Sequence, residues 1–363
     1  DFSGFVGANY FYENGSEAVP FRTDERSLFS QLLALAPSLP GLSQSTRDLI
    51  ALLGAPPPLL GPDYMPYQPY SAIPLLGTPL NPDEREGYTN YGSTRSYEAF
   101  ADGTWRPNDH FDITAGLRLS REHLTGGYQV TEADPAGGIG TALALFGAGF
   151  NGITGPNDLF VPTHGRLGNE HDSTSAVGRL IGTWHFNQAT NAYLSVSRGR
   201  RPSVLTFNVD AAGTGYDKQV LPAETILNYE LGLKGQVAGG RFSYDLSAFY
   251  YDYNNFQSNA YEGGRLLTLN AGRAKVPGFE AALQAALNNN ISMFLNYSYL
   301  HARFADRDKQ GREQAYAGNH LRLAPDNSLA LGILWNIPLS AGRALYIRPS
   351  YTWRSKIYFE DNN

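Results

Sequence analysis

Three arginines, Arg198, Arg200 and Arg201, end the segment AYLSVSRGRR and are followed by Pro202. Guanidinium groups this close together suit an anion, because each offers paired N–H donors to a carboxylate or phosphate. Four tyrosines lie in turn-rich surroundings: Tyr64, Tyr67 and Tyr70 in PDYMPYQPY, and Tyr216 in AAGTGYDKQ. Aromatic faces with a few polar groups are the usual lining of a small-molecule site. The chemistry these residues suggest is capture of an anionic ligand, or of phosphates on a lipid surface. The structural alternative is a charged rim leading into a proline-led turn.

Other patterns carry less. GAGFNG at 147–152 matches a dinucleotide-binding spacing, but the ITGPND that follows does not open a helix. DRDKQG at 306–311 begins like a calcium loop, yet Ala317 stands where a bidentate Glu is required. His164, Glu170 and His171 fit no standard metal spacing. Without cysteine there are no disulfides, thiolates or Cys-ligated metals, and no Ser/His/Asp or paired-carboxylate arrangement stands out. No catalytic residue, resident metal or cofactor is assigned, so an enzyme is not expected. A net charge of −6 gives no basis for nucleic-acid binding.

The elements that must position these residues are strands. In FSYDLSAFYYDYNNF, 242–256, Phe242, Tyr244, Leu246, Ala248 and Tyr250 alternate with Ser243, Asp245 and Ser247. The same period of two runs through 111–122, 227–234, 291–299 and 329–337, and there are about eleven such segments in all. PND at 107–109, NQAT at 187–190, VAGG at 237–240 and NNN at 288–290 read as tight turns. Between them lie long connections at roughly 13–94, 131–172, 204–222, 256–275 and 304–326. The first of these contains LFSQLLALAPSLPGLSQSTRDLIALLG, 28–54, read as two short helices broken by Pro37 and Pro40.

Opposite the apolar positions stand Glu98, Asp102, Arg106, Arg118, Glu122, Arg179, Glu230, Lys234, Asp245, Glu280 and Arg348, mixed in sign and expected in mid-strand. A dry core cannot hold so many charges, whereas a wide wet lumen can. Short turns alternating with long loops, and no apolar run long enough for a helical span, point to an all-β, antiparallel up-and-down transmembrane barrel with its apolar faces toward lipid. The aromatics from Phe249 onward are expected to mark the outer rim. A soluble sandwich or propeller is the alternative, disfavoured by loops of this length.

Five segments, in order, carry a family likeness: AYLSVSRGRRPS (192–203), LPAETILNYELGLKG (221–235), FSYDLSAFYYDYNNF, LNAGRAKVPGFEAAL (269–283) and FLNYSYLHARF (294–304). The chain resembles the C-terminal barrel half of a TonB-dependent outer-membrane receptor. The resemblance implies a barrel of about 22 strands, of which residues 1–363 would form one partial domain, with 13–94 as a long extracellular loop bearing short helices. It further implies a bacterial outer-membrane location and active import of a scarce ligand such as a siderophore, cobalamin or oligosaccharide. The implied partners are the inner-membrane TonB complex, reached through a plug, and outer-membrane lipid and lipopolysaccharide. No plug-like stretch or TonB box is recognisable, so the chain is expected to be a piece of a longer protein, and a passive porin-like channel is the second reading. Arg198, Arg200, Arg201, Tyr64, Tyr67, Tyr70 and Tyr216 are the expected ligand contacts.

The facing assigned to 242–256 has a direct consequence. Leu246→Arg should impair membrane insertion, because a cation at mid-bilayer depth on a barrel's lipid face is destabilising by about 2–4 kcal/mol, whereas Asp245→Asn should insert normally. Equal yields of folded, heat-modifiable protein from both variants would reverse the two faces.

Overall fold

A computed structural model describes residues 1–35, 70–73, 77–131, 160–210, 215–262 and 265–363, with Asp48, Gly137, Gly138 and Gly140. The chain is almost entirely antiparallel strand. In chain order the strands are β1 (Phe2–Thr23), β2 (Glu84–Asn108), β3 (Phe111–Thr131), β4 (Leu167–Asn187), β5 (Thr190–Arg201), β6 (Val204–Val209), β7 (Tyr216–Leu221), β8 (Glu224–Val237) and β9 (Phe242–Asn254). They continue with β10 (Gln257–Glu262), β11 (Arg265–Asn270), β12 (Ala274–Ala286), β13 (Ile291–Leu300), β14 (Arg303–Phe304), β15 (Asn327–Pro338), β16 (Ala344–Ile347) and β17 (Ser350–Arg354). One sheet runs β1-β2-β3-β4-β5-β8-β9-β12-β13-β15-β16, with β17 also on β15 and β14 on β12. These successive crossings correspond to the alternating segments of the sequence. The sheet follows chain order and is not closed; β6–β7 and β10–β11 are separate hairpins inserted in the long connections. Among the described residues, no helix is long and apolar enough to cross a membrane.

The short turns are built on asparagine. Asn108 Oδ1 accepts the His110 N–H at 2.9 Å, Asn187 Oδ1 that of Ala189 at 2.8 Å, and Asn288 Oδ1 those of Asn290 and Ile291 at 2.8 and 2.9 Å. Each side chain satisfies the turn it starts, which is why Asn recurs there. At the other end β1 and β2 remain paired out to Thr23↔Glu84, so the first long connection begins after Thr23. Helix α1 (Glu25–Leu35) follows directly, with Asp24 Oδ1 accepting the Arg26 N–H at 3.0 Å as its cap. The second helix expected in 28–54 lies outside the described residues. β1 to β4 have 21 to 25 residues, about twice what a barrel strand needs to cross a bilayer.

Register sorts the side chains into two faces. Asp102, Gly116, Arg179 and Ser197 follow one pairing row, and Leu117, Gly178 and Leu227 lie on the opposite face. The polar face is laced by ion pairs: Arg179–Asp102 at 2.9 Å, Lys234–Asp245 at 3.0 Å and Arg118–Glu98 at 3.4 Å. A recess of about 780 Å³ on this face is lined by Tyr193, Glu230, Lys234, Asp245, Glu280 and Arg354. The opposite face leaves Leu194 58% and Leu231 59% exposed, together with Leu117, Leu119 and Leu180. A continuous wall of bare leucine is untenable in water but suits hydrocarbon. At the short-turn end this face carries Trp105, Phe111, Trp184 and Phe186, with Phe111 stacked on Trp184 at 5.8 Å. This is an aromatic girdle of the kind that sits at a membrane boundary.

The polar face also contains four aromatic rings laid across directly opposed glycines: Phe100 on Gly7, Tyr193 on Gly232, Phe249 on Gly278 and Phe294 on Gly332. In each case a Cβ at the glycine would collide with the ring. The glycine lets the ring lie flat against the neighbouring strand, and the pair locks register. Tyr193 is held further by donating its hydroxyl to Glu230 at 2.5 Å. Gly232→Val should therefore destabilise the wall by about 1–3 kcal/mol through overpacking. Gly182, where an added methyl group would meet nothing within 4 Å, should accept alanine almost unchanged. The comparison is read from the temperature at which each variant loses its compact migration in detergent gels.

Candidate functional site at the long-loop end

Above the ladder of β3 and β4, the β6–β7 hairpin folds back against their polar face. Leu205 of the hairpin packs over Gly126, where a side chain would obstruct it, and Asn169 Nδ2 donates to the Gln219 carbonyl at 3.3 Å. Phe207 stacks on Tyr128 at 6.1 Å, and Tyr216 meets the same ring at 5.1 Å while its hydroxyl donates to the Val161 carbonyl at 2.8 Å. The chain of rings continues from Tyr128 to Tyr88 at 5.6 Å, then to Phe160 at 5.7 Å and Phe21 at 6.1 Å. Tyr216 is legible in the sequence as a loop aromatic, but Tyr88, Tyr128, Phe160 and Phe207 are not. They are far apart in sequence, and the backward fold of the hairpin brings them together.

The three arginines do not form one cradle. Pairing between β4 and β5 ends at Gly178↔Arg198, and the strands separate there. Arg198 lies on the apolar face and is exposed, its Nη1 donating to the Ala176 carbonyl at 2.7 Å. Arg200 reaches past the β4 edge to Glu122 Oε2 at 2.7 Å, and donates to the Oγ atoms of Ser175 and Ser173, both at 3.0 Å. Its side chain is 8% exposed and that of Glu122 is 11%. Arg201 donates to the Gln257 carbonyl at 3.3 Å, while the Gln257 amide nitrogen donates to the carbonyls of Pro202 and Pro222 at 2.9 and 3.1 Å. Arg201 thus ties the β10–β11 hairpin to the end of β5.

The aromatics from Phe249 onward correct the reading of them as a boundary row. Phe249 and Tyr251 share the Asp245 face, and only Tyr250 shares the face of Leu246. Phe249 is 7% exposed and is buried with Ala271, Ala274, Val276, Ala302, Phe304 and Leu321, with Tyr251, Tyr253 and Phe256 against this cluster. Stacked aromatics in sequence therefore mark a small dry core beneath the loops. Two bidentate ion pairs flank it, Arg273–Asp252 at 2.7 Å and Arg303–Asp326 at 3.0 Å. The hydrogen-bonded Arg303 guanidinium holds the Asp326 carboxyl below the usual carboxylate range. Gln314 stitches the last long loop to the strand, accepting from the Arg273 N–H at 2.5 Å and donating to the Arg273 carbonyl at 3.0 Å.

Tyr70 packs edge-on against the buried Phe29 of α1 at 5.3 Å. Tyr64 and Tyr67, and the GAGFNG stretch, lie outside the described residues. In the DRDKQG loop Asp308 accepts the N–H groups of Gln310 and Arg312, both at 2.9 Å, and the Arg312 guanidinium at 2.7 Å, which makes it the pivot of its own turn. Among the described residues, no group of three or more His, Asp or Glu side chains is arranged to hold a metal ion.

A family model for TonB dependent receptor-like β-barrels matches residues 4–363. The chain belongs to the TonB-dependent receptor family. Its fold is similar to the crystal structure of the ferric yersiniabactin uptake receptor FyuA from Yersinia pestis, with 20% identity and a TM-score of 0.59 over 77% of this chain and 38% of that one. The siderophore receptor PiuA from Acinetobacter baumannii matches over 100% of this chain and 44% of its own, at 12% identity and a TM-score of 0.56. The chain thus spans less than half the length of either structure. In a TonB-dependent receptor barrel the ion-paired face looks into the lumen, and the ring chain around Tyr128 stands on the lumen side of the long-loop end.

Breaking the Arg200–Glu122 pair should damage this end specifically. Arg200→Ala leaves a buried carboxylate uncompensated, at a cost of about 3–5 kcal/mol. Arg200→Met combined with Glu122→Leu should recover most of that loss. Hydrogen exchange in β3 and β4 reads the difference, and matching exchange rates in the single and double variants would contradict it.

Proposed function

We propose that this chain is barrel wall from an outer-membrane receptor that captures a scarce small molecule or metal chelate outside the cell and imports it with energy supplied through TonB. The observation that carries the reading is the continuity of a charged, ion-paired face with a cluster of packed aromatic rings at the long-loop end of the same face. A wall of this polarity passes a hydrated ligand, and flat rings grip one before passage. Membership of the family, and the like fold of a ferric yersiniabactin uptake receptor and a siderophore receptor, favour a ferric chelate as the ligand class. In this reading Phe207 and Tyr216 contact the ligand, together with Arg201 at the foot of the same hairpin, and with Tyr64 and Tyr67 as further contacts from the first long loop. Arg200 is a positioning residue, since its guanidinium is already engaged by Glu122.

The test uses the full-length receptor in a strain lacking it, supplied with a panel of radiolabelled ferric siderophores under iron limitation. Uptake of one chelate should require the receptor and should stop when TonB is deleted. Phe207→Ala should raise the half-saturating concentration roughly tenfold, the loss of one well-placed aromatic contact. Uptake that persists without TonB would favour the passive channel, and uptake of no chelate would exclude this ligand class.

A further inference from the structure

The ladder shared by β5 and β8 reaches Arg201↔Glu224, and the ladder of the β6–β7 hairpin begins at Val204↔Leu221. The residues between them, Pro202 and Ser203 on one side and Pro222 and Ala223 on the other, carry no rung. Without rungs, nothing in the ladder holds the hairpin in line with β5 and β8. Neither proline has an N–H with which to rebuild the pairing. β1 and β2, by contrast, stay paired without a break from Phe2↔Trp105 to Thr23↔Glu84. The gap is therefore the joint at which the β6–β7 hairpin turns back over β3 and β4.

A break alone leaves carbonyls unpaired and the direction of the chain open. Here the carbonyls are met by side-chain amides from the next long connection. Asn255 Nδ2 donates to the Ala223 carbonyl at 3.2 Å, and Gln257 Nε2 donates to the carbonyls of Pro202 at 2.9 Å and Pro222 at 3.1 Å. One amide group thus holds both sides of the joint. Gln257 is 4% exposed, and its backbone is fixed as well: its N–H donates to Glu224 Oε2 at 2.7 Å, and its carbonyl accepts from Arg201 at 3.3 Å. Its footing is the small dry core. Phe256 donates its N–H to the Gly272 carbonyl and accepts that of Ala271, both at 2.7 Å, and its ring packs edge-on against Tyr253 and Phe304. On the other side Ser258 Oγ donates to the buried Asp361, and the Arg322 guanidinium donates to the Asn259 carbonyl at 3.1 Å. A residue braced from both neighbours can set an angle in the strands it grips.

We propose that Gln257 is a positioning residue for ligand capture: its amide fixes the angle of the joint, and so the place over the polar face at which Phe207 and Tyr216 present their rings. The proposal rests on the reading of those two rings as ligand contacts. It is tested with the full-length receptor by two measurements. The first needs no ligand: spin labels at Lys218→Cys and Glu170→Cys, both exposed, report the distance from the hairpin to β4 by pulsed electron paramagnetic resonance. The parent protein should give one narrow distance. Gln257→Leu, which fills similar space without a donor, should add a second, longer population. Gln257→Asn, whose amide is one methylene too short to span both carbonyls, should do the same and serves where the leucine variant fails to insert. Thr268→Val, which removes only the hydrogen bond to Asn259 Oδ1 within the β10–β11 hairpin, should keep the single distance.

The second measurement is uptake of the same panel of radiolabelled ferric siderophores. Loss of the binding pose in most molecules should raise the half-saturating concentration roughly tenfold and leave the maximal rate per inserted receptor unchanged. General destabilisation would instead lower the amount of inserted receptor and leave the half-saturating concentration as it was. Unchanged distances in both Gln257 variants would show that the prolines set the bend alone and would overturn the proposal. A shifted distance with an unchanged half-saturating concentration would overturn it too. If the wild type takes up no chelate while the label distances still shift, the ferric-chelate reading fails and the hairpin's stance remains the work of Gln257.

Discussion

Strand-to-strand hydrogen bonding is the constraint on which the rest of this wall depends. A chain that crosses hydrocarbon without helices must pair every N–H and C=O with a neighbouring strand, and here each interior strand of the main sheet is paired on both sides. Once that ladder is in place the period of two follows, and each residue is committed to lipid or to lumen by its register alone. The ion pairs of the inner face are consequences of this register. Asp245 meets Lys234 because pairing sets them directly opposite each other, and Asp102 meets Arg179 across the intervening Gly116, in a space wet enough that neither partner is stranded.

The architecture was largely written in local pattern. Alternation located the crossings, and the asparagines at 108, 187 and 288 located turns that they also hold together. The facing of Leu246 and Asp245 could be read from a single strand, since charge on one side and apolar carbon on the other have one stable arrangement in a lipid wall. What escaped were features decided by departures from regularity. Strands β1 to β4 continue far past the hydrophobic band through segments such as Gly92–Thr94, whose composition resembles loop. A polar, glycine-bearing strand outside the membrane has no apolar face to announce it.

The candidate site was less legible for a related reason. Arg198, Arg200 and Arg201 are adjacent in sequence, but the end of pairing at Arg198 sends them to lipid face, β3 carboxylate and hairpin carbonyl in turn. In the same way the run Phe249 to Tyr253 divides between faces, and its buried half forms a core with residues from three later segments. Tyr128 becomes the hub of a ring chain only because a hairpin from beyond β5 folds back over β3. Contacts of this kind depend on tertiary return of the chain, for which a one-dimensional pattern holds no signal.

The long strands β1 to β4 have one more consequence. With 21 to 25 residues against 10 in β13, the rim of the wall is stepped and not level. The long-loop edge of this sheet therefore descends from β1–β4 toward β13, and the surplus length of the tall strands carries polar, glycine-bearing segments beyond the apolar band.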